Sequence, residues 1–305
     1  GIGESPVSKI AAASHRGAAL TVMTGTAYGL QSPFIGLITI IIAITIAFKI
    51  SGGTILAIAA VNIGTDLLIG IIMASDAFGP IVDNAAGIAK IGKAPRKVFE
   101  SLSRLDAVGN TLKATTKSYA MGSGTVTAFV LFATFFAITR NTVLDLITPY
   151  AIGFIFVGIS LPYLMSSIVI GATAKSAEKM VDEVRGQFRK NPAILEGKAK
   201  PDYGLCVDIA TKNALKEMLL PGAIAFTLPM VIGFVFGSAA LGALLIGAVS
   251  SSALLGAYFN NTGTAFDNAK KTIEEDESLD GSFAHESAVI GDTYGDPLKD
   301  VAGPS

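Results

Sequence analysis

PFIGLITIIIAITIAFKI, residues 33–50, places one charged side chain, Lys49, in eighteen positions. A helix that crosses a bilayer needs roughly 20 mostly apolar residues, and this run meets that need. Five further stretches read the same way, at about 54–75, 119–139, 143–172, 219–237 and 239–259. The expected fold class is therefore all-α, a polytopic transmembrane helix bundle with about six crossings. Residues 7–32 are helix-compatible but too polar for a span of their own, and read as a helical extension leading into the first crossing.

Composition agrees. Only 15% of the 305 residues are charged and the mean hydropathy is +0.58, whereas a soluble domain carries about 25% charged residues. With 23 basic against 24 acidic side chains the net charge is −1, which leaves no basic footprint for nucleic acid. Cys206 is the sole cysteine, so a disulfide framework within the chain and a cysteine-based zinc site are excluded. The opening GIGESPVSK has neither Met nor a charged n-region; no signal peptide is expected there, and the chain reads as a fragment or a processed product.

Basic residues orient the bundle, because short cytoplasmic loops collect Lys and Arg. Lys90, Lys93, Arg96, Lys97 and Arg104 fall in one such turn, and Lys175, Lys179, Arg185, Arg189, Lys190, Lys198, Lys200, Lys212 and Lys216 in another. These turns are assigned to the inside, and 176–205 to a cytoplasmic loop. The alternate turns hold only Lys49 and Arg140. No composition shift marks a second domain, so residues 1–305 are expected to form a single membrane domain. After the sixth crossing, HESAVIGDTYGDPLKDVAGPS (285–305) reads as the start of a seventh helix entering from the inside, without its apolar body.

The inner ends of the helices carry four polar stripes. Asp76 and Asp83 in DAFGPIVDNAAGIAKI are two helical turns apart and share a face. Asp106, Asn110, Lys113 and Lys117 recur at i, i+4, i+7 and i+11 in LDAVGNTLKATTK. Asp267, Lys270 and Lys271 in FDNAKK, and Asp292, Asp296, Lys299 and Asp300 in GDTYGDPLKD, complete the set. A single stripe is as readily a solvated, salt-bridged collar. Four stripes on one side, rich in short carboxylates and lysine, fit a hard-cation cage for Mg2+ shared with phosphate oxygens, and hence metal-assisted attack on a phosphoanhydride. No GxxxxGK[ST], HExxH or GxSxG string occurs. His15 and His285 read as structural, the Asn260 sequon falls on the inner side, and SSSALLG (250–256) reads as a helix-packing patch.

These stripes resemble the membrane-integral, ion-translocating inorganic pyrophosphatases. The strings that carry the resemblance are DAFGPIVDNAAGIAKI, LDAVGNTLKATTKSYAMGS, DIATKNALKEM, NTGTAFDNAKKTIE and HESAVIGDTYGDPLKDVAGPS, in family order over nearly the whole chain. The resemblance covers the family's C-terminal half and implies magnesium-dependent hydrolysis of pyrophosphate coupled to ion pumping, in a homodimer of two-ringed helical bundles. It implies that Asp83, Asp106, Asn110, Asp267, Asp292 and Asp296 serve the metal, and that Asn110, Lys117, Lys270, Lys271 and Lys299 bind substrate. Asp300 resembles one of two aspartates that hold the attacking water, and the catalytic set would be Asp300, Asp296, Lys117 and Lys299. Lys113 and Thr116 resemble the markers of the potassium-independent, proton-pumping branch. The partners implied are pyrophosphate, the lipid bilayer of the cell or of an acidic organelle, and the remaining half of the pump, without which the segment is expected to be inactive. The catalytic face would be cytoplasmic.

Three positions depart from the family pattern: Ala86 replaces a common Gly, Phe266 a common Trp, and Lys90 a common Glu. Asp66 has no counterpart; it is either a functional intramembrane carboxylate or one hydrogen-bonded to Asn62 or Thr65 on its own helix. Competing readings are a sodium-pumping pyrophosphatase, a carrier or channel that binds an anion–metal pair without hydrolysis, and a structural membrane subunit.

Overall fold

The computed structural model describes residues 5–139 and 148–305, and among these the chain is helical with no strand. Arg140 and the start of the expected 143–172 span lie outside the described residues. Among the described residues nine α-helices follow in order: α1 (Ser5–Ser14), α2 (Ala18–Ile50), α3 (Leu56–Asp66), α4 (Ile69–Ile91), α5 (Arg96–Thr139), α6 (Pro149–Lys190), α7 (Tyr203–Glu217), α8 (Leu219–Glu274) and α9 (Phe283–Pro297). A π-helical turn, Leu298–Ala302, continues α9.

Among the described residues four helical runs are long and apolar enough to cross a membrane: Ala18–Ile50, Arg96–Thr139, Pro149–Lys190 and Tyr203–Glu274. A fifth is the pair α3 and α4, which the sequence reads as one continuous span but which bends by 48° at Leu67–Leu68. The last run holds two of the expected crossings. At Gly237 the backbone leaves the helix (φ 87°, ψ 174°), a conformation open to glycine because it lacks Cβ. A methyl built on Gly233 would lie 3.1 Å from Leu241, eight residues on, where a straight helix would separate them by about 12 Å. The chain therefore reverses at Gly237, as the boundary between 219–237 and 239–259 anticipates.

The expected extension at 7–32 is helical but interrupted. Gly17 (φ 120°) separates α1 from α2, and Thr21 donates to Ser14 Oγ at 3.1 Å across the break. The residues assigned to a loop at 176–205 are helical as far as Lys190, because α6 continues past its apolar half. The true turn is tied at its base, where Asp202 N–H donates to Gln187 Oε1 at 2.7 Å and the Asp202 carboxylate caps α7. Phe34, Ile35, Ile42 and Ile46 of α2 are exposed, as side chains facing lipid should be.

By packing, the chain falls into two compact units. In 148–248, the backbones of α6 and α8 touch at small residues. Added methyls on Gly158 and Gly247 would lie 2.0 Å from Leu244 O and 2.2 Å from Ile155 O. In 5–139 with 249–304, α1, α8 and α9 share a core of Val7, Ile10, Phe266, Ile273 and Ala288. The Phe266 ring lies against Gly25 of α2 and against Gly291 and Gly295 of α9, and side chains of any size at these glycines would collide with it.

Candidate functional site

The second of these units brings three of the four polar stripes together. Asp106 on α5 is buried and pairs with Lys271 of α8 at 2.8 Å. Lys271 also reaches Asp267 (3.5 Å), one turn back on its own helix. Asp267 in turn receives Lys299 Nζ at 2.5 Å, and Lys299 closes on Asp296 at 2.9 Å. Lys270 pairs with Asp292 of α9. Asn110 donates to Asn268 at 3.5 Å, joining α5 to α8 at the same level. Carboxylate oxygens of Asp267, Asp292 and Asp296 lie within 4.8 Å of one another.

Glycine makes this convergence possible. A methyl on Gly263 would stand 2.5 Å from Gly295 O and 2.6 Å from Lys299 Cβ. With hydrogen there instead, α9 and its π-helical turn settle on α8 and Lys299 reaches Asp267, one helical turn beyond Gly263.

The π-helical turn also redirects Asp300. Its spacing from Asp292 and Asp296 predicts one shared face, but the wider turn at Leu298–Ala302 carries it away. Asp300 is exposed and pairs with Lys117 of α5 at 3.3 Å, while Lys117 donates to Lys299 O at 2.9 Å. Asp83 also stands apart from the cluster. It is exposed and its ion pair runs to Lys113 at 3.5 Å, on the α4–α5 face rather than among the carboxylates around Asp267. Asp76 accepts from Thr116 at 2.5 Å, so both acids of that stripe do face α5.

Burial sets the electrostatics. Asp292, on α9 and outside the spans, has its carboxyl pushed up to about 6 by burial and then by the Asp267 carboxylate, against the opposing pull of Lys270. For Lys299, burial disfavours the ammonium, but Asp267 and Asp296 outweigh it and raise its pKa. Asp106 Oδ1 and Asp292 Oδ1 are buried with no hydrogen-bond partner among the described residues. Buried carboxylate oxygens seldom stay unpartnered, and two of them beside an all-oxygen donor set fit a hard cation.

Residues outside this group behave as structural elements. His285 accepts from Gly281 N–H at 3.0 Å and lies 3.4 Å from Glu274, fastening the turn between α8 and α9. Asn260 is buried against Met121. Sequence reasoning missed Asn268, Gly263 and Gly79; the small residue four positions before Asp267 was the available signal for Gly263.

The fold and the charge cluster define an integral membrane protein whose buried aspartates and lysines interlock between helices. The chain belongs to the inorganic H+ pyrophosphatase family, whose family model matches residues 2–305. It is 42% identical over 98% of its length to a K(+)-insensitive pyrophosphate-energized proton pump of Methanosarcina mazei, covering 46% of that protein. It is 43% identical over 100% of its length to a protein of the same description from Caldanaerobacter subterraneus, covering 45% of it. A Clostridium tetani protein, provisionally named as a K(+)-stimulated pyrophosphate-energized sodium pump, is 42% identical over 99% of the chain and 46% of its own length. The chain thus spans about half the length of the curated relatives it matches.

Proposed function

We propose that this chain forms the pyrophosphate-binding face, and most of the metal cage, of a membrane pyrophosphatase that couples magnesium-dependent hydrolysis to proton pumping. The observation that carries the reading is the interlocked set Asp106–Lys271–Asp267–Lys299–Asp296, with Lys270–Asp292 beside it, drawn from three separate parts of the chain. Lys117, Lys270, Lys271 and Lys299 are the groups to meet the phosphate oxygens, with Asn110 as a neutral donor. Asp106, Asp267, Asp292 and Asp296 are the groups to hold Mg2+, whose bound charge would neutralise the phosphates and polarise the scissile anhydride. Asp300, at the exposed rim beside Lys117, is the group to orient a water and accept its proton as the oxygen attacks phosphorus. Asp83 joins the metal set only if Lys113 releases it.

Lys113 and Thr116 support the potassium-independent, proton-pumping form of this activity: a tethered ammonium supplies the single positive charge that a bound K+ would otherwise bring. The sodium-pumping reading draws on the Clostridium tetani relative, which is as similar as the proton pumps. The active species is read as a homodimer with its catalytic face in the cytoplasm. Orthophosphate release from magnesium pyrophosphate by the full-length protein, in vesicles carrying a pH-sensitive dye, tests the proposal. Turnover with acidification of the lumen is the expected result. Binding of pyrophosphate without turnover would replace the pump by a carrier.

A further inference from the structure

One ionisable group within an apolar helix pair takes no part in the charge cluster. Asp66 ends α3 at the 48° bend into α4, near the middle of the apolar stretch 54–75. Its carboxylate accepts from Asn62 Nδ2 at 3.2 Å and from Ser123 Oγ of α5 at 2.9 Å. Thr127 Oγ1 donates to Asn62 Oδ1 at 3.0 Å, and Tyr119 OH donates to the Thr65 carbonyl. Every one of these donors is neutral, and Asp66 has no ion pair among the described residues. An ionised carboxylate surrounded by hydrocarbon and neutral donors is costly and calls for a cation of its own.

The surroundings of Asp66 are connected to the polar side of the chain. On α5, Lys113 meets Asp83, Thr116 meets Asp76, Tyr119 meets Thr65, Ser123 meets Asp66 and Thr127 meets Asn62. These α5 residues recur every three or four positions, so they line one face of the helix turned to α3 and α4. From Thr116 to Thr127 the seam descends about 16 Å at the rise of an α-helix, roughly half the hydrocarbon thickness. A polar contact occurs at each turn on the way.

We propose that Asp66, with Asn62, Ser123 and Thr127, is an intramembrane binding station for the transported monovalent cation, H+ or Na+, at the foot of this seam. Asp66, Asn62 Oδ1, Ser123 Oγ and Thr127 Oγ1 offer oxygens to a cation, and the helix break at Leu67–Leu68 gives the station a place to change shape. The inference rests on the ion-pump reading above.

Asp66→Asn in the full-length protein keeps the size of the side chain and its acceptor for Ser123 but removes the charge. Reconstituted in vesicles, it should hydrolyse pyrophosphate within about twofold of normal while moving at least about tenfold less cation per pyrophosphate. Asp66→Glu should recover part of the transport. Labelling of the unaltered protein with dicyclohexylcarbodiimide, located by mass spectrometry, is a second readout independent of any variant's folding. Modification of Asp66 that Na+ suppresses identifies sodium; modification suppressed only by raising the pH identifies the proton. An unchanged ratio of transport to hydrolysis in Asp66→Asn, or no labelling at Asp66, overturns the station. If the unaltered protein neither hydrolyses nor transports, the pump reading fails, while the labelling still judges the site.

Discussion

Gly263→Ala tests whether the close approach of α9 to α8 builds the charge cluster. The added methyl would lie 2.5 Å from Gly295 O and 2.6 and 2.9 Å from Lys299 Cβ and Cγ. Comfortable contact needs about 3.5 Å, so the turn and α8 must part by about 1 Å. The nearest atom is a backbone carbonyl, which cannot rotate aside as a side chain could. Lys299 Nζ, now 2.5 Å from Asp267, would be drawn out to about 3.5 Å, the weak edge of hydrogen-bonding range. The cost in stability should be about 1–3 kcal/mol, as for other overpacked cores. The effect on catalysis should be larger, on the order of 10²-fold in turnover for a displacement of that size at the reacting groups. Orthophosphate release by the full-length protein, together with a thermal melt, separates the two effects. Gly36→Ala is the control, since nothing lies within 4 Å of its added methyl. Normal turnover in a folded Gly263→Ala protein would refute the reasoning.

Asp300→Asn should lower turnover by roughly 10² to 10⁴ while pyrophosphate binding persists, as expected for loss of a general base; equal turnover would remove Asp300 from the chemistry. Lys113→Ala, alone or with Thr116→Ala, should render hydrolysis potassium-stimulated, which a potassium titration of initial rates would read. Gly79→Ala should act in the same direction, because its methyl would stand 2.5 Å from Lys113 Cγ and push that side chain off its place. Phe266→Ala should cost roughly 3–5 kcal/mol and lower the melting temperature, since the fully buried ring is packed by three helices.

The helical bundle was legible because membrane spans announce themselves by length and polarity alone, and the reversal at Gly237 because glycine followed by serine interrupts an apolar run. The bend at Leu67–Leu68 was not, since two leucines carry no local signal of a break; it is set by how α3 and α4 each pack on α5. Most of the charge cluster could be read from i, i+4 spacing, which holds as long as a helix is regular. Asp300 escaped that reading because the π-helical turn changes the residues per turn just before it. Asp83 was not placed by it, because a shared face with Asp76 fixes direction but not depth, and its ion pair runs to Lys113. For Asp66, the partner on its own helix, Asn62, was foreseeable, whereas Ser123 is 57 residues away in the chain and becomes a neighbour only in the fold.

In the resting protein every lysine around Asp267 is already engaged by a carboxylate. A bare phosphate anion that claimed Lys271 and Lys299 would strand Asp106 and Asp267, and a bare cation that claimed the aspartates would strand the lysines. Either event leaves buried charge unmatched, a heavy penalty in such surroundings. Only an anion arriving with its own cations lets all the pairs trade partners at once, lysine to phosphate and aspartate to metal. Occupancy by the two halves of such a ligand is then reciprocally linked, each raising the affinity for the other by the same factor. With four aspartates against three lysines the cluster has no spare positive charge, so on the proposed reading simple anions, however abundant, gain no hold there.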